Sequence, residues 1–308
     1  MSITKITLSF SIAFSGLIAL AQPSTASGVK PDHVYQVTEA LVQELQVLNQ
    51  ENFTKSATAA TPDDDAMPRH VLFLARDQWR KVQLLRFMNG LETHGLNQVK
   101  VHKVTPAEVK EFVDQLLIEA QDLRPTYGLE ESTISVDLQS GKKPKDVYGS
   151  LLRVSGELKA LGVPATVPND VFRVAVSIRQ SLSAVLAKQG LSINESDLAA
   201  ESGRTPSEAY HAGLSLLQDL QSLSENDPAF AVPGKITVPA AKSGPISPDD
   251  VIVVLSRAYA DTMALMNATN AAPHVVFAPY EGGKTPSDVY REIKHAQLIL
   301  AALTKPSI

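Results

Sequence analysis

"GKKPKDVY" (Gly141–Tyr148) returns 142 residues later as "GKTPSDVY" (Gly283–Tyr290). Each copy reads as a helix opening. Thr285 suits the N-cap, where a hydroxyl accepts an orphan backbone N–H. Pro286 suits the first helical position, where its missing N–H costs nothing. Asp288, at the third position, completes a capping box. Val289 starts an apolar stripe.

The phrase occurs at eight prolines: Pro31, Pro68, Pro106 and Pro144, then Pro168, Pro206, Pro248 and Pro286. Steps within the first four are 37 or 38 residues and within the second four 38 to 42, but Pro144 to Pro168 is only 24. Two quartets in the same rhythm indicate a duplicated four-helix unit. At offsets of 0, 4, 7, 11 and 14 from each Val (Ala209 in one copy) the residues are almost all apolar, tracing one helical face. His33 and His70 fill the capping slot that holds Asp or Glu elsewhere. The aromatics that follow the cap, Tyr35, Tyr148, Phe172, Tyr210 and Tyr290, are expected to close the bundle ends.

The predicted fold is all-α, with two tandem four-helix bundles: 28–165 and 166–308. The linking loops are long, about 14 to 24 residues against the 2 to 8 usual in bundles, so helix direction stays open and parallel neighbours are allowed. Only Gly162–Val167 is short, which suggests antiparallel neighbours there and also allows the halves to merge into one eight-helix solid. "STISVDL" (Ser132–Leu138) and "HVVFAPY" (His274–Tyr280) hold matching places before the fourth helix of each half, as short strands or extended segments. Tetratricopeptide repeats differ, with two helices and short turns in about 34 residues.

Residues 1–26 read as a secretory signal peptide: Lys5, an uncharged apolar run, then small residues with cleavage after Ala21 or Ala26. The run is short for a spanning helix, which needs about 20 residues. A periplasmic or secreted location is therefore expected, with no membrane span after processing. The 308 residues include no cysteine, which excludes disulfides and thiol chemistry. A net charge of -5 without a basic run argues against nucleic-acid binding.

No nucleophile elbow, P-loop or dinucleotide fingerprint is present, and no catalytic residue or cofactor is assigned. The seven histidines lack metal-ligand spacing, and the acidic run Asp63–Asp65 lacks the glycine turn and spaced ligands of a calcium loop. One helix departs from its siblings. His70–Glu92 holds the only tryptophan and several basic residues, and Gln78 stands where most copies are apolar. The plainer reading is a central helix buried on several sides, its arginines reaching water. The functional reading is an anion or polar ligand held near Arg76, Gln78, Trp79 and Arg80. The expected function is non-catalytic: a bundle protein that binds a partner protein or small ligand, as a scaffold or a ligand-capture module for a receptor. The alternative is an enzyme whose site lies in an inter-helix cleft.

Overall fold

The computed structural model describes residues 28–55, 65–194 and 202–304. The leader segment and Asp63–Asp64 lie outside them. Among the described residues there are eight α-helices, and every one starts at a repeated proline. They are α1 (Pro31–Glu51), α2 (Pro68–Met88), α3 (Pro106–Gln121), α4 (Pro144–Ala160), α5 (Pro168–Lys188), α6 (Pro206–Asn226), α7 (Pro248–Thr269) and α8 (Pro286–Leu303). None is long and apolar enough to cross a membrane.

The openings work as their chemistry requires. The residue before each proline is extended, since the proline ring disfavours helical geometry there. Its backbone N–H donates to the side chain three residues on: Asp146 at 2.7 Å, Asp170 at 3.0 Å, and Glu208, Asp250 and Asp288 at 2.8 Å. Histidine serves equally. Nδ1 of His33 accepts at 2.9 Å and Nδ1 of His70 at 3.0 Å. Helix α3 differs, because Glu108 is taken by His102 at 2.8 Å and only the Thr105 hydroxyl caps.

Within each quartet all four helices are parallel. Pro31, Pro68, Pro106 and Pro144 gather at one end of the first bundle around Val34, Val71, Val109 and Val147. The second bundle repeats the arrangement with Pro168, Pro206, Pro248 and Pro286. Packing runs around the squares α1–α3–α2–α4 and α5–α7–α6–α8, the same topology twice. The long loops follow from this. A loop joining two parallel helices must return the full helix length, about 30 Å for 20 residues, and 16 extended residues reach about 50 Å.

The five offsets form five buried layers. In the first bundle the middle one is Leu41, Gln78, Leu116 and Val154; in the second it is Ile178, Leu216, Ala258 and Ala296. Offset 4 of α6 is Gly213, where a Cβ would sit 3.0 Å from Val254 Cγ1. Glycine there lets α6 and α7 approach closely. Cap contacts are also duplicated. Asp32 accepts the Lys142 N–H at 2.6 Å while the Lys142 ammonium lies 4.1 Å from the Tyr35 ring. In the second copy Asn169 accepts the Lys284 N–H at 2.7 Å, and the Lys284 ammonium lies 4.3 Å from the Phe172 ring.

The bundles meet through α2 and α7. Residues 69 and 70 pair with Asp261, and Lys81 with Asp249, so these helices are antiparallel and one bundle is inverted on the other. Helices α4 and α5 accordingly run in opposite senses but make no substantial contact, so the short link does not create neighbours. Gly162, at φ +88°, ends α4 in the left-handed conformation and turns the chain into that link. One apolar core spans the second bundle and the proline end of the first; a second fills the rest of the first bundle around Leu45, Leu85 and Leu158. His274 forms an isolated antiparallel bridge with Lys100, tying loop α7–α8 to loop α2–α3. Ser132–Leu138 forms no strand.

Candidate functional site

Successive residues on a helix are 100° apart, so Gln78 cannot share the face on which Arg76, Trp79 and Arg80 fall together. Gln78 lies in line with Val71, Ala75, Val82 and Leu85, and the structure buries it in the axial layer at 1% exposure. Its Oε1 has no hydrogen-bond partner among the described residues. Arg76, Trp79 and Arg80 lie on the outer side of α2 and line a cleft of about 430 Å³ between the two bundles. The structure thus brings three of the four candidate residues together and separates Gln78 from them. The helical period already carried that distinction.

The facing wall comes from the second bundle. Asp170, Arg173, Val174 and Ser177 present one side of α5, while Ile252, Ser256 and Tyr259 present one side of α7. Phe73, Asp77, Gln83, Phe277, the loop residues His94–Leu96 and Gln98 complete the lining. Sequence reasoning missed Arg173, Tyr259 and Phe277, because nothing in their own helix or loop patterns points across to α2.

The charges in the cleft fall into two groups. Arg80 is compensated, bridging Asp77 at 3.4 Å and Asp170 at 3.3 Å. Arg76 and Arg173 have no carboxylate partner among the described residues. Arg76 donates from Nη2 to the Asn97 carbonyl at 3.0 Å and stacks its guanidinium 4.7 Å from the Phe277 ring centre. Arg173 donates from Nε to the Ala278 carbonyl at 2.8 Å. Burial pulls the Arg76 pKa down to about 10, and Arg173 pushes the same way, opposed by Tyr259. Arg76 therefore stays cationic at neutral pH. Burial raises the Tyr259 pKa, so its hydroxyl stays protonated and donates to the Val276 carbonyl.

The rim is held by a polar cluster. Trp79 Nε1 donates to the His94 carbonyl at 3.1 Å. His94 Nδ1 meets Glu119 at 2.7 Å, and Gln83 Nε2 and Arg86 Nε each reach the same carboxylate at 2.9 Å. A second depression of about 310 Å³ lies beyond the same loop and shares Arg76, Trp79 and Leu96 with the cleft.

A separate buried cluster joins the bundles. Asp261 Oδ1 accepts from Arg69 Nε at 2.7 Å and His70 Nε2 at 2.8 Å, with His70 and Asp261 side chains fully buried. Because His70 Nδ1 already accepts the Met67 N–H, its proton must sit on Nε2. Burial lowers the His70 pKa, against the pull of Asp261. Arg69 also donates to the Pro233 and Lys235 carbonyls at 3.0 Å each. This is structural chemistry that joins α2 to α7 and the loop before it, although Asp261 Oδ2 has no hydrogen-bond partner among the described residues. Among the described residues, no three His, Asp or Glu side chains stand close enough to hold a metal ion. Compared with protein-family models, curated proteins and solved structures, the chain matches none.

Proposed function

We propose that this protein is a non-catalytic binding protein, exported through its N-terminal leader, that holds a small ligand in the cleft between its two bundles. One observation carries the reading: a recess of about 430 Å³ walled by both bundles, with two guanidinium groups, Arg76 and Arg173, that pair with no carboxylate among the described residues. That volume lies in the range of small-molecule sites, which favour apolar walls with a few convergent polar groups. Binding between the bundles would use both halves of the duplication, and a partner protein or receptor would then read a ligand-loaded surface.

Native mass spectrometry of full-length protein expressed in a Gram-negative host and drawn from its periplasm tests this. The expected result is a polypeptide shortened to residue 22 or 27 that carries a small molecule lost on denaturation. A polypeptide retained uncleaved in the cytoplasm removes the location. Absence of any adduct, together with no thermal shift across a small-molecule panel, removes the binding role.

A second reading has its own observation. The His94–Glu119 pair at the rim resembles an oriented general base. In that reading His94→Ala abolishes turnover of a ligand that it still binds. Unchanged ligand in the wild-type complex after prolonged incubation speaks against it.

A further inference from the structure

We infer that the cleft takes an organic monoanion, a carboxylate carried on an apolar body, with the carboxylate between Arg76 and Arg173. This rests on the proposed binding role and specifies its ligand class.

The charge count points to an anion. Arg80 already faces Asp77 and Asp170, and Lys81 beside it lies 3.2 Å from Asp77 and 3.5 Å from Asp249. Setting Arg76, Arg80, Lys81 and Arg173 against Asp77, Asp170 and Asp249 leaves one positive charge over, and Arg76 and Arg173 are the two cations facing the recess that touch no carboxylate among the described residues. A neutral ligand would seal them in without a counterion, which is costly. A cation would add to the repulsion. A guanidinium offers a planar fork of donors suited to a carboxylate. Arg76 and Arg173 each donate one hydrogen bond to a backbone carbonyl, which leaves further N–H groups for a ligand.

The walls point to the rest of the molecule. Phe73, Val174, Ile252, Tyr259 and Phe277 offer mostly carbon surface. The Tyr259 hydroxyl is committed to Val276, and the Ser177 hydroxyl donates to the Arg173 carbonyl while accepting the Ala278 N–H. Beside the guanidinium groups, Gln98 and Ser256 are the side-chain donors left uncommitted in the lining, and the adjoining carboxylates of Asp77 and Asp170 oppose a multiply charged ligand such as inorganic phosphate. An acid whose body is aromatic or aliphatic satisfies both halves of the site.

Trp79 is the only tryptophan in the chain and lines the cleft, so its emission reports occupancy directly. Four probes separate charge from body: 4-phenylbutyrate, 4-phenylbutan-1-ol, 4-phenylbutylamine and acetate. Each is titrated into the full-length protein by Trp79 fluorescence and calorimetry. 4-Phenylbutyrate is expected to saturate one site, the alcohol to bind at least about tenfold more weakly, and the amine and acetate to bind weakest. Arg173→Gln should bring the acid down to the alcohol's affinity and leave the alcohol unchanged. Arg173→Lys should retain part of the acid's advantage, and circular dichroism checks that both variants fold.

Equal affinity for acid and alcohol, or an Arg173→Gln variant that binds the acid normally, overturns the anion assignment while leaving the cleft a ligand site. If no probe binds yet the native protein carries a ligand, the ligand class is wrong. If neither probes nor a native ligand are found, the binding role itself falls.

Discussion

Helices α2 and α6 hold the same place in the two quartets, yet they bury different chemistry. Helix α6 buries Ala209, Tyr210, Ala212, Gly213 and five leucines. Helix α2 buries Arg69, His70, Asp77, Gln78, Lys81, Gln83 and Arg86 besides its apolar face. The axial stripes differ only in Gln78 against Leu216 as far as polarity goes, so most of the difference lies in what each helix meets on its other sides. The outer side of α2 meets α7, α5 and the loop carrying His94; α6 serves its own bundle. Duplication supplied one plain copy and one that joins the halves and forms a wall of the cleft.

The largest expected break in this comparison comes at Asp261. Asp261→Ala leaves Arg69 and His70 buried beside each other without a carboxylate. Breaking a buried pair this way costs about 3 to 5 kcal/mol, read as a lower denaturant midpoint.

Acid should weaken the junction next. His70 has a lowered pKa in the folded protein, so the unfolded chain takes up the proton first. Stability from this group is present above pH 6.5 and is lost as pH falls, by up to about 1.4 kcal/mol per pH unit until the native imidazole itself titrates. The groups bearing on it are Asp261, Arg69 and Arg257. Denaturation at pH 7.5, 6.5 and 5.5 measures the slope, and His70→Gln should flatten it.

A change in the opposite direction sharpens the comparison. The α6 counterpart of Gln78 is Leu216, and both are buried. Gln78→Leu removes an unpartnered buried oxygen and should raise stability by about 1 kcal/mol. A loss of stability would mean that the amide has a partner worth keeping.

The smallest effect belongs to the shared openings. Pro286→Ala should cost about 0.4 to 1 kcal/mol, chiefly by freeing the unfolded chain. Pro68→Ala should cost the same, because the opening is alike in both copies.

The fold was largely legible because its information is local. All eight starts were written in a proline and a third-position acceptor, four of them after a Ser or Thr N-cap, and the buried face followed from the offsets. Helix direction was not legible, since a loop long enough to return along a helix does not say that it does. The junction was hidden for another reason. Asp261 sits mid-helix in α7 with nothing around it to announce Arg69 and His70, some 190 residues earlier. The cleft was half legible: Arg76, Trp79 and Arg80 stood out as departures from the repeat, whereas Arg173 and Phe277 acquire meaning only when one bundle is inverted on the other. Gln78 departed from the pattern as visibly, but its angular position put it in the core.

That inversion has an electrical consequence. Peptide dipoles add along a helix to about half an elementary charge at each end. Four co-directed helices therefore gather roughly two charges of opposite sign at the two ends of a bundle. Standing alone, each half would be a strong axial magnet in search of its opposite. Laid side by side and antiparallel through α2 and α7, the two fields largely cancel. A single quartet produced by itself should consequently pair with an inverted copy of itself, and the whole protein should have a far smaller electric moment than either half.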